Sequence, residues 1–203
     1  MNDQLLAEYS ARYAAVLAPI AKELDALIVD HLGDVPHIDR VSVRAKTPKR
    51  FVDKANKRDK NGALLYHEPL YQIQDQIGAR IIVLYKHDVD AIRERMMEFF
   101  THIEMRKLVP ESEWEFGYFG LHFVFALPTE AIPPEIKIED APSFFELQIK
   151  TVFEHAWSEA NHDLGYKPEV ELTSDQKRLL AYASAQAWGA DRAFGELALE
   201  LVA

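Results

Sequence analysis

Cysteine is absent from this 203-residue chain, and long apolar runs are absent as well. Without cysteine the protein can form no disulfide bond, no thiolate metal site and no cysteine nucleophile. No segment approaches the ~20 consecutive apolar residues of a membrane-spanning helix, and the N-terminus does not begin with basic residues followed by an apolar run. We therefore expect a cytoplasmic protein without a membrane partner.

Positive charge is in short supply and is unevenly placed. The chain has 23 lysines and arginines against 33 aspartates and glutamates, which gives a net charge of −10. This balance argues against broad, sequence-independent binding of nucleic acid. Residues 44–60 nevertheless hold two acidic side chains and eight basic ones, namely Arg44, Lys46, Lys49, Arg50, Lys54, Lys57, Arg58 and Lys60. This local cationic segment indicates a site for a compact polyanion such as a nucleotide.

The hydrophobic pattern changes repeatedly between helical and strand-like spacing. It predicts helices over 3–32, 49–60, 69–77, 88–100, 151–164 and 173–202, and strands over 37–45, 79–85, 118–127 and 144–149, with Arg106 and Lys107 on a further strand. The strands are interleaved with helices, and the two late ones are joined by a loop too short for a helical crossover. The pattern therefore predicts an α/β fold with a mixed sheet of about five strands flanked by helices.

Three parts of the chain are expected. They are an N-terminal helix in residues 1–36 that packs on the core, a central domain in residues 37–170, and a C-terminal helix in residues 171–203. The apolar stripe of the last helix is too wide for a solvated tail. That helix therefore packs on the domain or on another subunit, and a homo-oligomer stays open.

The strand that begins near Phe144 carries polar side chains at alternating positions. Glu146, Gln148 and Lys150 alternate with apolar residues, so they share one face of the strand. A charged residue on a buried face costs several kcal/mol unless it is paired or ligated. The alternation indicates either a strand whose polar face lines a site or an edge strand with one solvated face.

Two further segments have the residue types of a nucleotide site. Asp75 stands just before Gly78, and Arg80 opens an apolar strand. Asp75 suits a cation ligand, and the guanidinium of Arg80 suits pairing with phosphate or stacking on a base. A structural role fits as well, with Asp75 as a cap and Gly78 as a simple turn. Glycines flank Tyr118, which leaves its ring room to stack, and His122 points to the same strand face as Tyr118.

Together these segments resemble the synthetase domain of the RelA/SpoT family, in particular its stand-alone small alarmone synthetases. The resemblance covers about residues 38–170. It rests on five motifs in the right order: Arg-x-Lys with Lys54 downstream, Gln-Asp-x-x-Gly-x-Arg-Ile, Gly-Tyr-x-x-x-His, Glu-x-Gln-Ile-Lys-Thr, and Ala-Trp followed by His-x-Leu-x-Tyr-Lys.

The resemblance implies a nucleotidyltransferase-like domain. Its activity would be transfer of the β,γ-pyrophosphate of ATP to the ribose 3′-hydroxyl of GDP or GTP, which makes the alarmone (p)ppGpp. The implied roles are adenine stacking for Arg44 and Arg80, donor phosphate contacts for Lys46 and Lys54, Mg²⁺ binding for Asp75 and Glu146, activation of the attacking hydroxyl by Glu146, and acceptor-nucleotide binding for Tyr118, His122, Gln148 and Lys150.

Four features depart from the family's pattern. Arg50 replaces a small residue, Lys150 replaces an arginine, Phe119-Gly120 replaces a polar pair after Tyr118, and residues 111–115 carry three glutamates where the family has basic residues. These departures affect donor geometry and acceptor identity. Open alternatives are a toxin-type relative that modifies adenine nucleotides or the tRNA 3′ end, with an antitoxin as partner, and a degenerate nucleotide-binding regulator.

Two histidine groups have other interpretations. His155, Glu159 and His162 lie at i, i+4 and i+7, which fits a metal site, but the match to the last family motif favours a pocket wall. His87 and Asp88 match the two-letter signature of the family's hydrolase domain. With no other histidine or acid at a suitable spacing, this pair predicts the start of a helix, and hydrolase activity is not expected.

Overall fold

A computed structural model describes residues 2–108, 116, 120–165 and 171–201. Its centre is one five-stranded sheet in the order β1-β2-β5-β4-β3, in which β2 and β5 are parallel and the other neighbours are antiparallel. The strands are β1 Ile38–Ala45, β2 Ile77–Val83, β3 His102–Leu108, β4 Gly120–Ala126 and β5 Phe144–Thr151. The predicted mixed sheet flanked by helices is confirmed.

Seven α-helices lie in the described residues. They are α1 Asn2–Arg12, α2 Ala18–Leu32, α3 Pro48–Ala55, α4 Pro69–Gln72, α5 Asp88–Phe99, α6 Val152–Gly165 and α7 Ser174–Leu201. A π-helical turn, Tyr13–Leu17, joins α1 to α2. The single N-terminal helix predicted over residues 3–32 is therefore continuous but contains a π-helical turn.

Two predicted helices are shorter than the sequence pattern suggested. The helix predicted over residues 49–60 ends at Ala55, because the chain then turns around Asp59, whose Oδ1 accepts hydrogen bonds from the backbone N–H groups of Asn61 and Ala63. The helix predicted over residues 69–77 is interrupted at Ile73, which is extended, so β2 begins at Ile77 instead of residue 79.

The hydrophobic core lies on one face of the sheet. Along β5, Phe145, Leu147 and Ile149 are buried on that face, and the helices α2 and α5 cover it with residues such as Ile28 and Ile92. Because side chains alternate along a strand, the even-numbered residues of β5 point to the opposite face. The core thus leaves a second face available for the polar residues.

The N-terminal helix is anchored at one aromatic contact. Tyr9 stacks on Phe51 of α3 with ring centroids 3.7 Å apart, and its hydroxyl donates to the backbone oxygen of Lys46 over 3.1 Å. Burial, reinforced by the charge of Asp75, raises the pKa of the Tyr9 hydroxyl. This contact ties α1 to the segment that carries the predicted donor-site lysines.

The last two helices pack against each other and against the end of β5. Trp157 Nε1 donates to the backbone oxygen of Leu180 over 3.4 Å, and Thr151 Oγ1 donates to Asp191 Oδ2 over 2.7 Å. Burial raises the pKa of the Asp191 carboxyl to about 6. Within the described residues, every helix is too short or too polar to cross a membrane.

Replacement of Leu147 by Ala should lower the free energy of unfolding by about 2–5 kcal/mol, because Leu147 is fully buried and its truncation leaves a cavity. Leu179 of α7 is 66% exposed, so Leu179→Ala is the matched control and should change stability by less than about 0.5 kcal/mol. Urea unfolding followed by circular dichroism measures both. Equal losses in the two variants would contradict this placement of the core.

Candidate active site

The polar face of the sheet gathers side chains from four neighbouring strands. Strand pairing sets them in two adjacent rows, with Ser42, Arg80, Gln148 and His122 in one row and Arg44, Gly78 and Glu146 in the other. Residues two apart on a strand share a face, so both rows point away from the core. Motifs more than a hundred residues apart in sequence, such as those of Arg44 and Glu146, are therefore neighbours on one surface.

Asp75 occupies a 3₁₀ turn directly before β2. Its backbone lies between the helical and extended regions, with φ −89° and ψ 36°. The neighbouring Gln76 is buried and holds the turn, since its Nε2 donates to the backbone oxygens of Leu70 (2.7 Å) and Ile73 (3.2 Å). The backbone N–H of Lys46 donates to the Gln76 carbonyl over 2.8 Å. These bonds fix the Asp75 carboxylate beside the end of β1.

Two lysines neutralise Asp75. The Nζ atoms of Lys46 and Lys54 each lie 2.9 Å from Asp75 Oδ2. The other oxygen, Oδ1, is buried and has no hydrogen-bond partner in the part of the chain that the structure describes. A buried carboxylate oxygen without a partner is costly, so Asp75 has the capacity to accept one more cationic or hydrogen-bonding group.

Glu146 is held in its ionised form. Burial of the side chain opposes ionisation, but hydrogen bonds from His122 and Gln148, together with the charges of His122 and Lys54, outweigh it and lower the pKa to about 2. Gln148 Nε2 donates to Glu146 Oε1 over 2.8 Å, and His122 Nδ1 lies 3.1 Å from the same oxygen. Lys54 thus contacts Asp75 and also acts electrostatically on Glu146, which indicates that it lies between the two carboxylates.

Arg44 and Arg80 line a small cleft of about 80 Å³ on the same face. Burial lowers the pKa of Arg44, and the charge of Arg80 lowers it further. The Arg80 guanidinium is held from α6, because its Nη1 donates to Glu159 Oε1 over 2.7 Å and lies 3.3 Å from His155 Nδ1. Helix α6 therefore fixes the plane of one of the two arginines.

Lys150 lies beneath α6 and is only 2% exposed. Its Nζ donates to Ser158 Oγ over 3.0 Å. Burial lowers its pKa to about 8, with a smaller contribution from the charge of Arg80. The lysine thus supports the sheet from within the α6 interface, and its predicted role in acceptor binding stays a prediction.

The structure gathers nine of the ten predicted site residues on or beside the polar face: Arg44, Lys46, Lys54, Asp75, Arg80, His122, Glu146, Gln148 and Lys150. Tyr118 lies outside the described residues, as do residues 111–115 and the Tyr166-Lys167 pair. The chemical roles assigned to these residues stay predictions.

The residues that position the site are not evident from the sequence. The sequence pattern predicts His155 and Glu159 as metal ligands or pocket wall, whereas the structure places both against Arg80. Their i, i+4 spacing was the available signal, since it puts them on one helix face. Gln76 holds the turn of Asp75, but the sequence shows it only as part of a motif. Tyr9 holds the segment that carries Lys46, but the sequence shows it only as part of an apolar stripe.

A larger groove of about 600 Å³ lies elsewhere, between the start of α5 and α7. Leu121 and Ile149 line it, and they point to the face opposite Glu146 and Gln148. The groove exposes mostly apolar surface, and its charged lining includes the ion pair between Lys86 and Glu154. None of the predicted site residues that the structure describes lines it. We therefore place the candidate active site on the polar face.

Residues 43–171 match the family described as "Region found in RelA / SpoT proteins". The chain belongs to this family. Among curated relatives it is similar to GTP pyrophosphokinase YjbM of Bacillus subtilis (strain 168), with 23% identity over 201 residues that cover 97% of this chain and 90% of the relative. The predicted family membership is confirmed.

Solved structures of small alarmone synthetases share the fold of this RelA/SpoT-family chain. Small alarmone synthetase 1 from Bacillus subtilis bound to its product pppGpp has a TM-score of 0.70 at 22% identity, covering 97% of each chain. The same enzyme bound to AMPCPP gives 0.64 at 21% identity, covering 90% and 93%. A GTP pyrophosphokinase family protein from Streptococcus pneumoniae gives 0.73 at 20% identity, covering 96% and 93%.

ATP-using pyrophosphokinases of the RelA/SpoT family generally need a divalent metal ion. The polar face fits such an ion on its own chemistry. Among the described residues Asp75 Oδ1 is buried without a hydrogen-bond partner, and lysine Nζ atoms neutralise the other oxygen. Hard divalent cations bind carboxylate oxygens, so Asp75 and the ionised Glu146 are the residues that could hold one.

Replacement of His122 by Ala should raise the pKa of the Glu146 carboxyl clearly above its present value of about 2, because burial would then be opposed only by Gln148 and Lys54. A depressed carboxyl pKa stabilises the fold above the ordinary pKa of 4.5, and this contribution is lost as the pH falls toward 2. The His122→Ala variant should therefore be less stable than the wild type above pH 4.5, and its free energy of unfolding should fall less as the pH drops from 4.5 toward 2. Carbon-13 NMR of the carboxyl group measures the titration.

The exposed His102 of β3 provides the control, because it lies at the far edge of the sheet. His102→Ala should leave the Glu146 titration unchanged. A Glu146 pKa that does not move in the His122→Ala variant would contradict the role given to the His122 hydrogen bond.

Proposed function

We propose that this protein transfers the β,γ-pyrophosphate of ATP to the ribose 3′-hydroxyl of GDP or GTP and so makes (p)ppGpp. The observation that carries the proposal is the polar face of the sheet, where Asp75 and Glu146 both interact with Lys54 beside the Arg44–Arg80 cleft. The relative YjbM is named a GTP pyrophosphokinase, and small alarmone synthetase 1 is described with pppGpp as its product. Both names support the same activity here.

The donor nucleotide fits the cationic half of the face. We assign adenine to the cleft between Arg44 and Arg80, because a planar guanidinium stacks on an aromatic base. Lys46 and Lys54 lie next to Asp75, toward the metal end of the site. When nucleotide and metal bind, the lysines would exchange the Asp75 carboxylate for phosphate oxygens, so their charge remains neutralised throughout.

Mg²⁺ is the metal we assign to Asp75 and Glu146, because both are carboxylates and Mg²⁺ prefers oxygen ligands. When bound, this ion neutralises charge on the donor phosphates and helps to orient them. Asp75 Oδ1 has the unfilled bonding capacity that such a ligand needs. Glu146 stays ionised at neutral pH because its pKa is about 2.

In the proposed reaction the acceptor 3′-oxygen attacks the β-phosphorus of ATP. The bond between that phosphorus and the α,β-bridging oxygen breaks, and AMP leaves with the electron pair. We assign to Glu146 the role of general base, which accepts the hydrogen bond and then the proton of the attacking hydroxyl. The basicity of Glu146 would rise if His122 turned its hydrogen bond from Glu146 to the acceptor nucleotide, because this bond is a main cause of the low pKa of Glu146.

GDP or GTP is ranked above the tRNA 3′ end as acceptor. The net charge of −10 disfavours binding a long polyanionic backbone. An antitoxin partner is expected only if the protein is a toxin-type relative that uses the second acceptor.

The proposal is tested by AMP release from ATP and Mg²⁺ with GDP, GTP, ATP and deacylated tRNA in parallel reactions. GDP or GTP should give AMP together with a nucleotide that carries a 3′-pyrophosphate, detected by anion-exchange chromatography. Label transferred into tRNA and not into a guanine nucleotide would overturn the acceptor assignment. No AMP with any acceptor, from protein that still binds AMPCPP, would overturn the assignment as an enzyme.

Asp75→Asn and Glu146→Gln should each reduce AMP formation by at least about a hundredfold, since the loss of a metal-binding carboxylate removes several kcal/mol of transition-state stabilisation. Glu98→Gln is the matched control, because the Glu98 side chain is 62% exposed and belongs to α5, which covers the opposite face of the sheet. Circular dichroism checks that all three variants are folded. Activity retained in either site variant would contradict the metal assignment.

Arg80→Lys should weaken AMPCPP binding by about tenfold, which corresponds to about 1.4 kcal/mol. The substitution keeps the charge but removes the planar stacking surface and the paired contact with Glu159. Isothermal titration calorimetry measures the dissociation constant. Arg93→Lys, on α5 and paired with Asp90, is the control and should bind as the wild type does. Unchanged affinity in Arg80→Lys would remove Arg80 from the donor site.

A further inference from the structure

His37, His87 and Asp88 converge at one point of the fold. His37 Nδ1 lies 3.3 Å from Asp88 Oδ1, and His87 Nε2 lies 3.5 Å from the same oxygen. One nitrogen of each imidazole and a carboxylate oxygen all lie within 4.8 Å of one another. Three groups of this chemistry at this spacing form a candidate metal-binding cluster, which we call the histidine cluster.

The histidine cluster is separate from the candidate active site. Strand pairing sets Ile38 opposite Val83 and Arg44 opposite Gly78, so His37 lies at the opposite end of β1 from the arginine cleft. Six residues of extended strand span about 20 Å. A metal ion at the cluster would therefore be independent of one bound by Asp75 and Glu146.

Asp88 carries an unmet bonding requirement. The residue is 8% exposed, and its Oδ2 is buried without a hydrogen-bond partner among the described residues. A buried carboxylate oxygen in this state is costly unless a cation or donor compensates it. The two imidazoles both approach the other oxygen, so they leave the requirement of Oδ2 unmet. Because the negative charge of a carboxylate is shared by both oxygens, a cation bound at Oδ1 would also offset the cost of burying Oδ2.

Both imidazoles are held in place before any ligand binds. His37 has a left-handed backbone conformation with φ 63°, and its carbonyl accepts a hydrogen bond from Leu84 N over 2.8 Å. Tyr85 packs edge-on against His37 at 4.9 Å and stacks with His87 at 5.5 Å. These contacts orient the two rings toward Asp88. A preorganised ligand set loses little conformational entropy on binding.

A capping role explains only part of this arrangement. Asp88 is the first residue of α5, and a carboxylate at a helix N-terminus is favoured by the helix dipole. That role accounts for an acid at this position. It does not account for two ordered imidazoles on the acid or for a buried oxygen without a partner.

We propose that the histidine cluster binds one zinc-class transition-metal ion through His37, His87 and Asp88. Zinc takes imidazole and carboxylate ligands at about 2.0–2.2 Å, so neighbouring ligand atoms of a tetrahedral site lie about 3.3–3.5 Å apart. Both contacts to Asp88 Oδ1 have this length. Any wider separation within the cluster must close to about 3.5 Å when the ion binds, since this is the distance between ligand atoms of a tetrahedral site. Water completes the fourth position, since both histidines are partly exposed.

Mg²⁺ is excluded as the natural occupant of the histidine cluster. It prefers oxygen ligands in octahedral geometry, whereas two of the three ligands here are nitrogens. Bound zinc would join the start of β1 to the start of α5, because His37 precedes β1 and the other two ligands lie at the helix start. The expected effect is therefore greater stability of the metal-bound protein.

The test is a titration of metal-free protein with ZnCl₂, measured by isothermal titration calorimetry. The buffer contains millimolar MgCl₂, which occupies sites made of oxygen ligands alone. One zinc ion should bind per chain and raise the melting temperature, since a ligand of the native state stabilises it. Co²⁺ should bind competitively and give the visible absorption of a four-coordinate ion. A wild-type protein that binds neither metal overturns the proposal.

His37→Ala, His87→Ala and Asp88→Asn should each weaken zinc binding by at least about tenfold, the effect typical of disturbing a metal site. His67→Ala is the matched control, because His67 is exposed and lies in the loop before α4, and it should bind zinc as the wild type does. If Asp88→Asn fails to fold, the exposed His87 still decides the question. Zinc binding that survives in His87→Ala, or that is lost equally in His67→Ala, overturns the assignment.

Discussion

The parallel pairing of β2 with β5 is the constraint on which the candidate active site depends. It sets Glu146 opposite Gly78, so the carboxylate of β5 lies beside the turn that carries Asp75 just before β2. A register shift of one residue would turn Glu146 into the core and bring an apolar residue to the site. The core residues Leu147 and Ile149 prevent that shift, because it would expose both to solvent.

Charge balance is the second requirement of this face. Arg44, Lys46, Lys54 and Arg80 are concentrated there, and the charges of Arg80 and Arg50 lower the pKa of Arg44 beyond the effect of burial. Asp75 and Glu159 compensate through direct ion pairs. A nucleotide polyphosphate bound with a metal ion can take over the same compensation. Lys46, Lys54 and Arg80 are therefore already paired in the free protein, at the positions from which they would contact such a ligand.

Local patterns predicted the fold and much of the candidate site, whereas long-range contacts were not predictable. Alternation along β5 correctly indicated a polar face, because strand periodicity needs only neighbouring residues. The end of α3 was predicted too late, since the turn around Asp59 competes with a helix pattern that continues. Arg80 and Glu159 are 79 residues apart, and only the assembled sheet and α6 bring them together.

Lys150 shows how the packing accounts for a departure from the family motif, which has an arginine at this position. Lysine places one compact charge beneath α6, where its Nζ needs few partners and donates to Ser158. Burial lowers its pKa to about 8, so it can lose its proton, whereas arginine would keep a permanent charge near Arg80. The cost of burying the charged lysine grows as the pH falls from 10.5 toward about 8 and is constant below that. The advantage of lysine at neutral pH is therefore its small head group, because one ammonium bonded to Ser158 needs fewer partners beneath α6 than the five N–H donors of an arginine.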